Sequence, residues 1–157
     1  YGLHFRVMME EKNLRRYPFF RLTGAFGVNP GSPAGRGASL LHAIRYLRKP
    51  GKQRRALIIF PHGRLLPPWT DPWPPFKPGL ETLLRLCPQA RPVPVVHEIV
   101  PGDGKRPCVW MEVGAAQPAT STLTELEAAL AETRRCLRQR VEQANECRAS
   151  LIARNTS

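Results

Sequence analysis

Pro61-His62-Gly63-Arg64 puts an imidazole, a glycine and a guanidinium into four consecutive residues. An imidazole exchanges protons and hydrogen bonds near neutral pH. A guanidinium offers a planar fork of donors to a carboxylate or phosphate. Glycine lets backbone N–H groups approach an anion. Together they read as an anion-receiving turn, but four such residues by themselves more often mark an ordinary turn leaving a strand, so the weight of this stretch comes from its surroundings. Lys77, in Phe76-Lys77-Pro78-Gly79, can add an ammonium or sit solvated. His97 stands beside Glu98, but adjacent residues of a strand point to opposite faces and cannot pair directly. His42 follows Leu41 on a helical stretch and reads as structural.

A strand must deliver the turn. Ala56-Leu57-Ile58-Ile59-Phe60 is an unbroken apolar run between Arg54-Arg55 and Pro61. Such a run suits a strand buried on both faces, and it is expected to be the central one. Upstream, Ala38 to Lys49 carries Leu40, Leu41, Ile44 and Leu47 at helical spacing, and Pro50-Gly51 ends it. Before that helix, residues 30–37 read as a loop, with Ser32 or Ser39 available as a cap. Residues 3–9 read as a short strand, 10–16 as a polar turn or short helix, and 23–30 as a strand-like stretch bounded by glycines. Strand, helix, strand in this order predicts an α/β crossover.

Downstream, seven prolines lie between Pro61 and Pro78. Trp69 and Trp73 in that loop fit a membrane interface or simple packing of the loop onto the domain. Gly79 to Leu86 repeats leucine at helical spacing. Residues 91–100 read as a strand in which Pro92 and Pro94 mark a start or an edge. Residues 101–104 form a turn, Cys108 to Val113 form the next strand, and Thr122 or Thr124 caps a long final helix with Leu123, Leu126, Leu130, Leu137 and Val141 along its apolar stripe.

At 157 residues the chain supports one domain with a core. Lys plus Arg number 24 against 12 acids, a net charge of +12. Such a surface attracts phospholipid headgroups, nucleic acid or phosphorylated cofactors, or serves solubility alone. The basic residues are spread out and no nucleic-acid motif is recognisable, so no nucleic-acid partner is expected. No run approaches the roughly 18–20 apolar residues of a membrane span, and no signal peptide is visible. The four cysteines show no C-x-x-C pair, which reads as reduced thiols in a cytosolic protein and no metal site.

The order of these segments resembles the glycerolipid acyltransferase family, which includes the lysophosphatidic acid acyltransferases. Gly24-Ala25-Phe26-Gly27-Val28-Asn29-Pro30 resembles the family's Gly-x-x-Phe-Ile-Asp-Arg, with Pro30 where the family has a phosphate-contacting arginine. Phe60-Pro61-His62-Gly63-Arg64 resembles Phe-Pro-Glu-Gly-Thr-Arg, with His62 in place of the glutamate and one position missing or shifted. Phe76-Lys77-Pro78-Gly79 matches Phe-Lys-x-Gly, and Val93-Pro94-Val95-Val96-His97 resembles Val-Pro-Val-x-Pro. The resemblance is strongest over residues 5–145.

It implies an α/β fold, a single domain with a central, mixed, mostly parallel β-sheet flanked by helices, like that of glycerol-3-phosphate acyltransferase. It also implies transfer of a fatty acyl group from acyl-CoA or acyl carrier protein to a glycerolipid hydroxyl, with no further cofactor. By the same resemblance, Gly24, Asn29, His62, Gly63, Arg64, Lys77 and Pro94 are expected to bind substrate. The family's general base and its orienting acid form His-x-x-x-x-Asp. His4 is followed at that spacing by Met9, so the catalytic block is expected upstream of Tyr1, and no catalytic residue is assigned within 1–157. The implied setting is cytoplasmic and peripheral, on the inner face of a membrane bearing anionic lipid. The alternative is a non-catalytic relative that only binds anionic lipid.

Overall fold

The computed structural model describes residues 2–29, 31–63, 66–67, 70–100 and 106–155, with the side chains of 100 and 147–155 not included. The class is α/β. The chain forms two compact units, Tyr1–Ala90 and Arg91–Ser157.

The first unit holds a three-stranded parallel sheet of order β2-β1-β3, from β1 (Leu3–Glu10), β2 (Ala25–Val28) and β3 (Arg54–Ile58). Its central strand is therefore β1, and the run expected at the centre supplies an edge of this sheet. Ile58 is 45% exposed and Phe60 52%, so that run is not buried on both faces. Short helix α1 (Glu11–Arg16) and a 3-10 turn (Pro18–Arg21) link β1 to β2.

Helix α2 (Pro33–Arg48) then crosses β1 to reach β3. It starts five residues before the expected Ala38. Ser32 Oγ accepts from Gly35 N at 3.3 Å, and Pro33, which needs no partner for its nitrogen, opens the helix. Ala43 and Ile44 pack with Leu83 and Cys87, and Met8, Phe26, Leu40, Leu47 and Leu57 close around them. Leu41, expected on that stripe, is exposed instead; it lies about 100° round the helix from Leu40. The Ser39 hydroxyl sits 2.9 Å from Gly35 O and 3.1 Å from Gly27 O, one proton serving two carbonyls and tying α2 to β2.

Alternation along β2 turns Phe26 toward α2, so Ala25 and Gly27 face the other side of the sheet. There the Glu11 carboxylate lies against Gly27, and fully buried Leu14 packs α1 onto β2. Helix α3 (Gly79–Leu86) matches its expected bounds, with Leu83 and Leu84 buried.

In the second unit, β4 (Val95–Val100) and β5 (Cys108–Val113) form a two-stranded antiparallel sheet. The described strands thus make two sheets, one parallel and one antiparallel, in place of the single mixed sheet expected. Residues 91–94 precede the strand, because each proline removes a donor. Helix α4 (Leu123–Asn155) begins with a reciprocal cap in which Thr122 N donates to Glu125 Oε2 and Glu125 N donates to Thr122 Oγ1.

Leu126, Leu137 and Val141 are buried along α4, and Arg138 and Arg140 reach Glu98 and Glu112. These acids lie on the face of the ribbon toward α4. On the opposite face the cross-strand pairs Val95–Val113 and Ile99–Val109, with Met111, stay exposed.

Gly114 sits where β5 leaves the ribbon, its N–H donating to Pro94 O at 2.9 Å. A Cβ there would come within 2.8 Å of Pro94 Cγ and press on Thr133, which is buried. Gly114→Ala is expected to cost about 1–3 kcal/mol, read as a lower urea midpoint at unchanged m-value.

Candidate functional site

From β1 the chain steps outward to β2 and then doubles back over β1 to β3. The path to β2 carries α1 on one face, and the return path to β3 carries α2 on the other. In open parallel sheets of this kind ligands bind at the carboxyl ends of the strands, where the winding reverses. Here that place is the junction of β1 and β3, and the segment leaving β3 there is Phe60–Gly63.

That segment is a closed turn. Gly63 N donates to Phe60 O at 2.9 Å, and Gly63 holds the left-handed conformation with φ 68°. Lys77 then folds back on it: its N–H donates to Pro61 O at 2.9 Å, and its aliphatic stem covers Gly63. Pro61 and Lys77 are far apart in sequence, so this one bond closes the proline-rich loop at its base. Leu80 N donates to Lys77 O at 3.2 Å, leading straight into α3. His62 is half-buried, edge-on to Trp73 at 5.4 Å and to Phe76 at 5.2 Å between ring centres. Phe76 is buried, and the aromatic pair fixes the plane of the imidazole. Trp73 therefore packs within the loop.

His62, Gly63 and Lys77 are brought together. The Gly63 N–H, expected to face an anion, is donated to Phe60 O. The Lys77 side chain is exposed beside this turn, while the Nε2 of His62 is buried. Arg64 and Trp69 lie outside the described residues.

Asn29 ends β2 at the same carboxyl edge, but its Oδ1 accepts from Gly31 N at 3.2 Å, shaping the loop that starts α2. Gly24 precedes β2 at the amino edge, where its carbonyl accepts from Val7 N at 3.4 Å; it does not join the carboxyl-edge group. Pro94 belongs to the second unit, where its carbonyl accepts from Gly114 N. His97 is exposed on the apolar face of the ribbon, and Glu98, on the other face, meets Arg138.

A second group, not apparent from sequence, gathers at the amino edge. Arg6 Nη1 donates to His42 Nε2 at 2.6 Å, and the Arg6 guanidinium lies over the Tyr46 ring at 5.0 Å. Tyr46 in turn donates its hydroxyl to His4 O at 2.7 Å. Desolvation first, then Arg6 and Arg45, hold His42 below its ordinary pKa of 6.5. Burial pushes the Cys87 thiol up, against a smaller opposing pull from Arg48.

Among the described residues no group of three or more His, Cys, Asp or Glu side chains is placed to hold a metal ion. No helix among them is long and apolar enough to cross a membrane. Compared with known proteins, the chain matches no family model, no curated protein and no solved structure.

Two outcomes test this geometry. Gly63→Ala meets only ordinary contact, 3.6 Å to Lys77 Cγ, so its cost is backbone strain of about 1–2 kcal/mol; Gly63→Asn is expected to cost less, by thermal melting. With its pKa held below the ordinary value, His42 protonates less readily in the fold than when unfolded. Stability therefore rises with pH through this window and is lost as pH falls from about 6.5 toward the lower folded pKa. Urea titrations at pH 7.5 and 5.5 should show a drop that His42→Gln diminishes.

Proposed function

We propose that this chain is an acyltransferase-type domain of the glycerolipid acyltransferase kind, serving transfer of a fatty acyl group from acyl-CoA or acyl carrier protein to a glycerolipid hydroxyl. The observation that carries the reading is the Lys77 N–H bond to Pro61 O. It joins the two stretches that resemble the family's Phe-Pro-Glu-Gly-Thr-Arg and Phe-Lys-x-Gly at the sheet edge where parallel α/β folds receive ligands.

In this reading Lys77 and Arg64 neutralise a phosphate on acceptor or donor, and His62 hydrogen-bonds the acceptor. The reaction needs a base to take the acceptor hydroxyl proton. The resulting alkoxide attacks the thioester carbonyl, the C–S bond breaks, and the thiolate leaves with a proton. No His-x-x-x-x-Asp occurs in the 157 residues, so the base is not assigned to any residue here. The positive charge holds the domain on anionic lipid at the inner face of a membrane, on the cytoplasmic side.

A non-catalytic lipid-binding role is favoured by the departures Pro30, His62 and His97 from the family pattern. Mass spectrometry of products formed from acyl-CoA or acyl carrier protein and lysophosphatidate, by the protein translated from the whole open reading frame, separates the two. Acyl transfer is expected, with Lys77→Ala lowering kcat/KM about tenfold or more, the scale of a lost charged hydrogen bond. Absence of turnover with retained binding to anionic vesicles supports the non-catalytic role.

A further inference from the structure

We infer that the amino edge of the parallel sheet is a second anion site, built to take a dianionic phosphate group. An open cleft of about 280 Å³ lies there, lined by His4 and Arg6 of β1, Tyr46 and Lys49 at the end of α2, Gln53 just before β3 and Arg55 within it. No acid is among the described residues that line it. It is separate from the turn at His62, which lies at the other end of the strands, and it does not rest on the acyl-transfer reading.

What marks this cleft is how its cations are held. Elsewhere among the described residues several arginines are positioned by carboxylates: Arg21 by Glu11, Arg138 by Glu98, Arg140 by Glu112, though Arg16 lies over the Tyr17 ring. Those pairs cancel their own charge. Arg6 is positioned by neutral groups, donating to the His42 ring and stacked on Tyr46. The lowered pKa of His42 keeps that ring a hydrogen-bond acceptor. Arg55 is likewise held by neutral groups, donating to the carbonyls of Lys49 and Pro50. Both guanidiniums are thus fixed in place with their full charge uncancelled, and Lys49 adds an ammonium on the same rim.

The carboxyl end of α2 opposes this, but a helix terminus carries the equivalent of only about half a negative charge, and Arg55 already engages the carbonyls of Lys49 and Pro50 where the chain leaves it. The lining cations Arg6, Lys49 and Arg55 outweigh it several-fold. A fixed planar fork with a second guanidinium and an ammonium nearby matches a phosphate dianion better than a monovalent carboxylate. The cleft volume exceeds what one phosphate fills, leaving room for the group that carries it. Gln53 adds neutral donor and acceptor capacity on the wall.

The chemistry is that of a phosphate on a free small molecule or on a lipid headgroup, and two probes separate these sources. Pyrophosphate is titrated into 15N-labelled full chain at pH 7.5 and about 0.1 M salt. In parallel, sedimentation is measured with phosphatidylcholine vesicles with and without phosphatidate. Saturable shifts of the His4, Gln53 and Arg55 amides, or phosphatidate-dependent sedimentation, are expected. Arg6→Gln should weaken whichever is seen at least tenfold, and Lys49→Gln about three- to tenfold. Arg85→Gln, an exposed cation on α3 that removes the same charge, should leave it unchanged. Should Arg6→Gln fail to fold by circular dichroism, Lys49→Gln against Arg85→Gln decides. Equal loss in Arg85→Gln, shifts spread evenly over the surface, or no response to either probe would overturn the assignment.

Discussion

Two parallel strands lying on either side of a third can be joined only by a connection that climbs over its face. That constraint governs the first unit. β2 and β3 flank β1, so α2 must cross it, and the residues α2 lays down on the way become the core. Ala43, with its single methyl, lets the helix come close, and Ile44, Leu40 and Leu47 fill the space over Met8, Phe26 and Leu57. Ser39 fixes where along β2 the helix sits. With α2 on one face and α1 on the other, the carboxyl end of β3 emerges at the reversal of winding, and the turn at Phe60–Gly63 inherits that position.

The two ends of the sheet treat charge differently. Near the carboxyl end of β1, Glu11 is met by Arg21 at 3.0 Å and Arg15 at 3.5 Å, so the acid is matched. At the amino end arginines are matched with an imidazole, an aromatic ring and backbone carbonyls, none of which carries a full negative charge. A protein with twice as many basic as acidic residues must leave some cations uncompensated. At the amino end the geometry of two of them, Arg6 and Arg55, is set by neutral groups.

Much of the local structure was legible because it rests on short-range rules. The leucine spacing and Pro88 gave the bounds of α3, and β5 ended as expected at Val113 before Gly114. Proline chemistry was legible for β4, which starts after Pro94. The start of α2 was not, since Pro33, Gly35 and Gly37 have the composition of a loop, and only the Ser32 cap reveals the helix. The identity of the central strand was also hidden. β1 contains His4 and Arg6 and does not look like a middle strand; it becomes one because Tyr46 and His42, far along the chain, satisfy the groups it brings. An apolar run such as Ala56–Phe60 says that a segment is extended, not where it stands in the order of strands. Of the candidate site, the turn and Lys77 were recognisable as motifs, but their meeting depends on closure of the proline-rich loop. The amino-edge cleft draws on three separate segments, and no local pattern announces it.

The ribbon of β4 and β5 leaves Val95, Ile99, Val109, Met111 and Val113 uncovered on one side. Mutual repulsion from a net charge of +12 keeps such faces on different molecules apart only over the screening length, about 10 Å at 0.1 M salt and 3 Å at 1 M. Added electrolyte thus removes the barrier while leaving the attraction of the oily patches intact. Contact between copies through this oily side is therefore expected to strengthen as electrolyte is added.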